Sequence, residues 1–159
     1  MDERLNNEDK AEPKKRGVLA SWPHGVARYT VGQVCQHRKY NYICVIYGWD
    51  PFCKASRVRE VFTKTSRTFL DISIIFQSWI SQMGVDKLDE KDKQPFYNVL
   101  VSDGSNRYAA QENLEPVHHQ IVTHAEIGKY FQSFSQETGY KPNRQLAEAY
   151  PDDKFPSKV

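Results

Sequence analysis

The sequence has no long hydrophobic run. None of its 159 residues lies in a stretch approaching the ~18 consecutive apolar residues that a membrane-spanning helix needs. The first fifteen residues are too polar for a signal peptide. We therefore predict an intracellular protein of the nucleus, the cytoplasm or an organelle, with no membrane partner. A chain of this length is expected to form one domain, with or without tails.

Cysteine is scarce, and its spacing matches no known framework. The three cysteines, Cys35, Cys44 and Cys53, lie nine residues apart. This spacing fits neither a zinc site nor an even-numbered set of disulfides. We interpret all three as reduced thiols, because a free cysteine commonly behaves as a small buried hydrophobe.

An excess of one charge is also missing. The chain has 22 Lys and Arg residues against 20 Asp and Glu residues, a net charge of +2 at pH 7. A protein that holds duplex DNA mainly through its phosphates usually has a strongly basic face. Electrostatics alone therefore does not indicate a nucleic acid partner.

The motifs of catalysis are absent as well. The sequence contains neither the glycine pattern of a nucleophile elbow nor a glycine-rich loop that would cradle phosphates. His118, His119 and His124 lack the cysteine or carboxylate spacing that would complete a metal site, so we interpret them as surface histidines. We predict a protein that is not an enzyme and that has no cofactor and no metal.

Two β-hairpins are indicated by short β-prone runs around turn residues. Residues 34–37 and 43–47 flank a turn in which Asn41 is best able to adopt a left-handed backbone. Residues 95–101 and 106–110 flank a second turn that contains Asp-Gly. We predict a mainly β fold of the α+β class: a small antiparallel, SH3-like β-barrel with C-terminal α-helices.

The last third of the chain is predicted to be helical. Thr123 and Glu126 have the spacing of a capping box. The apolar stripe that follows consists of Ile127, Tyr130, Phe131 and Phe134. Gly139 is the expected stop, and residues 144–150 are predicted to form a second short helix that ends at Pro151.

Several motifs, in order along the chain, resemble one known family. They are Val31-Gly32-Gln33-Val34, His37-Arg38-Lys39-Tyr40-Asn41-Tyr42, Val45 to Pro51, Gln94 to Val101, Asp103-Gly104 and Arg107 to Leu114. Together they resemble the YccV-like, or hemimethylated-DNA-binding, domain, whose small bacterial members are the HspQ/YccV proteins. The resemblance is stronger to the copy at the C-terminus of vertebrate F-box-only proteins, and it covers about residues 28–56 and 78–150.

The residue patterns and the resemblance together predict three parts of the chain. Residues 1–27 are predicted to be a disordered tail, residues 28–114 the YccV-like domain, and residues 115–159 a C-terminal helical extension. Residues 57–77 fall where the family has a short connection, so we interpret them as an atypical insertion. Two origins are considered for it: a genuine ordered insertion, or a retained intron or gene-model error, since its terminal codons can carry intron-end nucleotides.

The family name implies that the chain is a DNA-binding module with double-stranded DNA as its partner. The candidate contact residues are His37, Arg38, Lys39, Tyr40, Tyr42 and Arg107. The cations would contact phosphates, and either tyrosine would stack on a base or wedge against a groove. Under the opposite interpretation, both tyrosines pack in the core and the cations are only solvated. Arg28 is a secondary phosphate candidate.

The alternative is a protein-interaction module. The resemblance to F-box proteins and to bacterial proteins linked to protein quality control implies an adaptor for substrate recognition in a ubiquitin- or protease-dependent pathway. The near-neutral net charge favours this alternative on physical grounds. No F-box is evident in the chain itself, so a ligase role does not follow from the resemblance.

Overall fold

A computed structural model of the chain describes residues 13, 27–51, 85–89 and 93–153. Three of the features expected from the sequence lie outside these residues. They are almost all of the tail 1–27, the whole insertion 57–77, and Cys53. They therefore stay predictions.

Five antiparallel strands form the main sheet. They are β1 (Val34–His37), β2 (Ile43–Asp50), β3 (Phe96–Val101), β4 (Asn106–Ala110) and β5 (Leu114–Pro116). The order across the sheet is β4-β3-β2-β1-β5, so β4 and β5 are its edges within the described part of the chain. The predicted mainly β, α+β fold is confirmed, but the predicted closing of the sheet into a barrel is not found among the described strands, because β4 and β5 do not pair.

Both predicted hairpins form, for the local reasons that the sequence indicates. Asn41 has a φ of 56° in the turn between β1 and β2, and His37 N–H donates to the carbonyl of Tyr42 across it, at 2.9 Å. In the second hairpin, Gly104 has a φ of 89° and its N–H donates to the carbonyl of Val101, at 3.0 Å. Asparagine and glycine tolerate this left-handed backbone at low cost, which explains their positions.

The core lies between the main sheet and the C-terminal segment. Trp49, Tyr97 and Leu114 are fully buried there. Cys35 and Cys44 lie directly opposite each other on β1 and β2, fully buried and free. Burial raises the pKa of both thiols, that of Cys44 to about 12, so neither is activated.

The predicted helix over 127–134 is wrong beyond its first turn. Helix α1 covers only Ile127–Tyr130, and the chain then forms a hairpin of β6 (Phe131–Ser135) and β7 (Gly139–Pro142). Thr123 does not cap α1, since Glu126 is its N-cap residue and no side chain bonds there. The apolar spacing fits a helix, but it also fits a strand whose aromatic side chains pack on Tyr140 of β7.

The second predicted helix forms as α2 (Arg144–Ala149), one residue shorter than expected. Asn143 caps it by accepting a hydrogen bond from the N–H of Leu146, at 2.9 Å. Two short 3-10 helices, Val85–Lys87 and Gln111–Asn113, complete the described elements. None of the helices in the described ranges is long and apolar enough to cross a lipid bilayer.

The segment after β5 is packed on the main sheet. Tyr140 and Leu146 belong to the same buried cluster as the strands, and the ring of Tyr150 lies 5.6 Å from that of Trp49. The N–H of Tyr140 donates to the carbonyl of Gly32, just before β1, at 2.8 Å. The C-terminal segment thus holds the open end of the β1–β2 hairpin, opposite its turn.

Candidate functional site

The turns of the two hairpins lie side by side at one end of the sheet. The N–H of Ser102 donates to the carbonyl of Ile43, at 3.1 Å, and joins the second turn to the end of the first. The guanidinium carbon of Arg107 lies 5.0 Å from the centroid of the Tyr42 ring. We call the surface formed by residues 37–42, residues 102–105 and Arg107 the tip surface. It brings together all six contact residues proposed from the sequence.

The buried side chain of His37 stabilises the first turn. Only 4% of the residue is exposed. Its Nδ1 accepts hydrogen bonds from the backbone N–H groups of Lys39, at 3.2 Å, and Tyr40, at 3.1 Å. Its ring lies between those of Tyr40 and Tyr42, with centroids 4.9 and 4.7 Å away. His37 therefore supports the tip surface and offers little of itself to a ligand.

The surroundings of His37 favour its neutral form. Burial lowers its pKa below the ordinary value of 6.5, and the positive charges of Arg107 and Lys39 lower it further. Protonation at Nδ1 would also replace an acceptor of two N–H groups by a donor that faces them. The turn is therefore most stable while the imidazole is uncharged.

This arrangement predicts a pH-dependent stability. As the pH falls below about 6.5, the unfolded chain binds a proton at His37 that the folded chain does not, so the free energy of unfolding decreases. In a His37→Gln variant, this decrease between about pH 7.5 and 5.5 is expected to be smaller. Urea unfolding at a series of pH values measures both proteins. Equal pH dependence in the two would contradict the assignment to His37.

The two tyrosines of the turn have different environments. Tyr42 is half-buried and packs against the core, and burial raises its pKa. Tyr40 is 62% exposed, and the Lys39 ammonium lies over its ring at 5.3 Å from the centroid. Tyr42 thus packs in the core, as expected under the interpretation that gives the tyrosines a structural role. Tyr40 does not, and its ring is accessible to solvent.

Two cations of the tip surface have carboxylate partners. Arg107 pairs with Asp103, at 3.0 Å, and Arg38 pairs with Glu115 of β5, at 3.8 Å. Hydrogen bonds from Ser105, and then the charge of Arg107, hold the pKa of Asp103 below its usual range. Exposed ion pairs of this kind stabilise a protein by only about 0–1 kcal/mol. A phosphate group can therefore displace these carboxylates from the two arginines.

Lys39 has no ion-pair partner within the described ranges. The secondary candidate Arg28 is exposed, and its backbone N–H donates to Gln111 Oε1, at 2.9 Å. No contact in the described part of the chain connects Arg28 to the tip surface. Lys39 is therefore the cation most available to a ligand there.

Sequence reasoning missed the two carboxylates. Asp103 was detectable, because it lies in the predicted second turn, four residues before Arg107. Glu115 was not, because its place beside Arg38 depends on the pairing of β5 with β1, in which Gln36 opposes Glu115. These acidic groups lower the net charge of the tip surface.

The histidines of the C-terminal segment do not assemble into a metal site. No group of three or more metal-ligating side chains is found among the residues that the structure describes. His118 and His119 are exposed and line an open groove of about 230 Å³ beside β5. His124 is half-buried, and its Nδ1 accepts from the N–H of Glu126, at 3.0 Å.

Comparison with known proteins reveals one family and a set of animal relatives. The family model described as "Hemimethylated DNA-binding protein YccV like" matches residues 27–67 and 74–138. The match has a break at residues 68–73, and it includes residues 57–67 and 74–77 of the segment predicted to be an insertion.

Among the relatives are F-box only protein 21 from mouse, which is 44% identical over 126 residues, and its human counterpart, which is 43% identical over 126 residues. These matches cover 79% of this chain and 17% of each relative. The chain thus spans about a sixth of the length of the curated relatives it matches. No solved structure matches.

Proposed function

Because the chain belongs to the YccV-like, hemimethylated-DNA-binding family, we propose that it is a non-catalytic module that binds DNA through the tip surface. The observation that carries this proposal is the exposed pair of Lys39 and Tyr40, held on the rigid support of His37. A cation beside an aromatic ring is suited to contact a phosphate and a base together.

The neighbouring arginines add to this surface. Arg38 and Arg107 are exposed and differ from Lys39 in being paired with carboxylates. The three cations and Asp103 give the tip surface a net charge of about +2, which Glu115 beside Arg38 lowers to about +1. We therefore expect weak duplex binding with one to three phosphate contacts and a slope of log affinity against log salt of about −1 to −3.

Charge reversal tests the assignment. The double variant Arg38→Glu/Lys39→Glu is expected to lose one or two of these contacts, which makes the salt slope shallower by about 1 to 2 and removes most of the affinity at low salt. Fluorescence anisotropy with a labelled duplex at several salt concentrations measures both quantities. Unmethylated and hemimethylated duplexes are compared in parallel, because recognition of a methyl group requires an apolar contact in the major groove.

The matched control changes the net charge by the same amount away from the tip surface. Lys141 and Arg144 are exposed in β7 and α2, at the C-terminal side of the fold. The double variant Lys141→Glu/Arg144→Glu is expected to change affinity only slightly. Equal losses in both double variants, or no loss in either, would contradict binding at the tip surface.

A protein-interaction adaptor is the second candidate function. It is favoured by the pairing of Arg38 and Arg107 with carboxylates, which leaves little free positive charge, and by the F-box proteins among the relatives. Exposed tyrosine and arginine side chains are also enriched at the centre of protein interfaces. Under this proposal the partners belong to a ubiquitin ligase pathway. It would be favoured if the unchanged protein had no DNA affinity and the Arg38→Glu/Lys39→Glu variant lost a protein partner. Either function places the protein inside the cell.

A further inference from the structure

Tyr40 combines high exposure with a defined position. The residue is 62% exposed, yet its ring stacks on His37 with an angle of 26° between the ring planes. Its backbone N–H is bonded to the same imidazole, at 3.1 Å. An aromatic ring that is already held in place loses little conformational freedom when a ligand stacks on it. The tip surface therefore presents a preorganised stacking platform.

The net positive charge of the tip surface is too small to hold DNA through phosphate contacts alone. Asp103 and Glu115 lie beside two of the three cations, and both carboxylates would repel a DNA backbone brought close to them. Only Lys39 lacks such a neighbour among the described residues. Stacking on Tyr40 must then supply a large share of any affinity.

Stacking of this kind requires a base whose face is accessible. In a continuous duplex each base is covered above and below by its neighbours, so enzymes that need a base face must first flip the base out. Single strands and gaps offer such faces without that cost. The Lys39 ammonium lies over the Tyr40 ring, 5.3 Å from its centroid. A base that stacks on this ring displaces the flexible lysine side chain, which can then contact the adjacent phosphate.

We infer that the tip surface binds DNA at a nucleotide whose base is unpaired, with the base stacked on Tyr40 and the adjacent phosphate on Lys39. This inference rests on the proposed DNA-binding function and specifies its ligand. Single-stranded or gapped DNA is preferred over a continuous duplex. The affinity depends on salt only weakly, since about one phosphate contact contributes a slope of about −0.7 on a single strand.

Anisotropy measurements on the full chain test the inference with three labelled probes. They are a single strand of about 12 nucleotides, the duplex of the same sequence, and an abasic strand of the same length, sized to one binding site. The single strand is expected to bind about 5- to 150-fold more tightly than the other two, which is the range for one base–aromatic stack. The abasic strand keeps the phosphates and removes only the bases.

Three variants of Tyr40 separate stacking from support of the turn. Tyr40→Ala is expected to lower single-strand affinity by the same factor of about 5 to 150, and Tyr40→Phe, which keeps the ring, is expected to bind as the unchanged protein does. Tyr40→Leu keeps apolar cover over His37 but has no aromatic face, so it is expected to bind as weakly as Tyr40→Ala. Undiminished binding by Tyr40→Leu would overturn the stacking role.

The remaining outcomes distinguish this inference from the function on which it rests. Duplex binding at least as tight as single-strand binding, lost in Arg38→Glu/Lys39→Glu, would overturn the inference and leave the proposed DNA-binding function in place. No binding to any DNA probe would overturn both. Tighter binding to an RNA strand of the same sequence would overturn the assignment to DNA.

Discussion

Replacement of Gly139 by alanine is expected to destabilise the fold by about 2–4 kcal/mol. Gly139 begins β7 with a φ of +85°, a left-handed backbone that costs a residue with a Cβ roughly 1–2 kcal/mol. A Cβ there would also lie 2.6 Å from the carbonyl oxygen of Gly32. That oxygen accepts the Tyr140 N–H at 2.8 Å, so neither backbone can move without loss of the bond that docks β7 onto the main sheet.

Urea unfolding measures this loss, and Gly104 offers a matched control. Gly104 has nearly the same φ, +89°, but no atom lies within 4 Å of the position that its Cβ would occupy. Gly104→Ala is therefore expected to cost only the conformational part, about 1–2 kcal/mol. The difference between the two variants reports the close approach of β7 to Gly32. Equal losses would contradict that approach.

Replacement of Asp153 by alanine is the second large effect, with an expected loss of about 2–4 kcal/mol. Asp153 Oδ2 accepts hydrogen bonds from the N–H of Val31, at 2.8 Å, and from Trp49 Nε1, at 3.1 Å. Val31 and Trp49 are both fully buried. Truncation of the carboxylate leaves two buried donors without this acceptor, and each unsatisfied donor costs about 1–3 kcal/mol.

Asp153→Asn is the control for this site, because its amide oxygen can still accept both hydrogen bonds. It is expected to lose about 1 kcal/mol, the part that comes from the charge on the acceptor. The unfolding midpoints of the two variants in urea give the comparison. If both variants unfold like the unchanged protein, Asp153 does not hold the start of β1 to the end of β2.

These two substitutions lie far from the tip surface along the first hairpin. Gly32 and Val31 precede β1, and Trp49 is near the end of β2, so they lie at the open end of the hairpin. His37 and Tyr40 lie at its closed end. Stability and binding can therefore be tested separately, and folded Gly139→Ala and Asp153→Asn proteins are expected to keep the DNA affinity of the unchanged chain.

The hairpins were predictable because short-range sequence determines their turns. Asn41 and Asp103-Gly104 are residue types that accept the left-handed backbone, and they lie between β-prone runs. The cluster of His37, Lys39 and Tyr40 was predictable for the same reason, since all three belong to one turn.

The C-terminal hairpin was mistaken for a helix because an apolar spacing of three and four residues has two physical solutions. Phe131 and Phe134 lie on one face of an ideal helix, but a register shift between β6 and β7 also lets both contact Tyr140. The choice depends on a partner strand whose contribution no local pattern contains.

Neighbouring residues in the chain were thus sufficient for the two turns, for α2 and for the cluster of His37, Lys39 and Tyr40, since a few adjacent side chains and backbone angles decide them. Long-range packing decided which tyrosine is exposed, which cations are paired and where β7 docks. Tyr40 and Tyr42 are two residues apart, but Arg107 of β4 lies over the ring of Tyr42 while Tyr40 stays exposed. In the same way, only the pairing of β5 with β1 brings Glu115 beside Arg38. Contacts between segments distant in sequence depend on strand pairing across the whole domain, which composition and spacing do not specify.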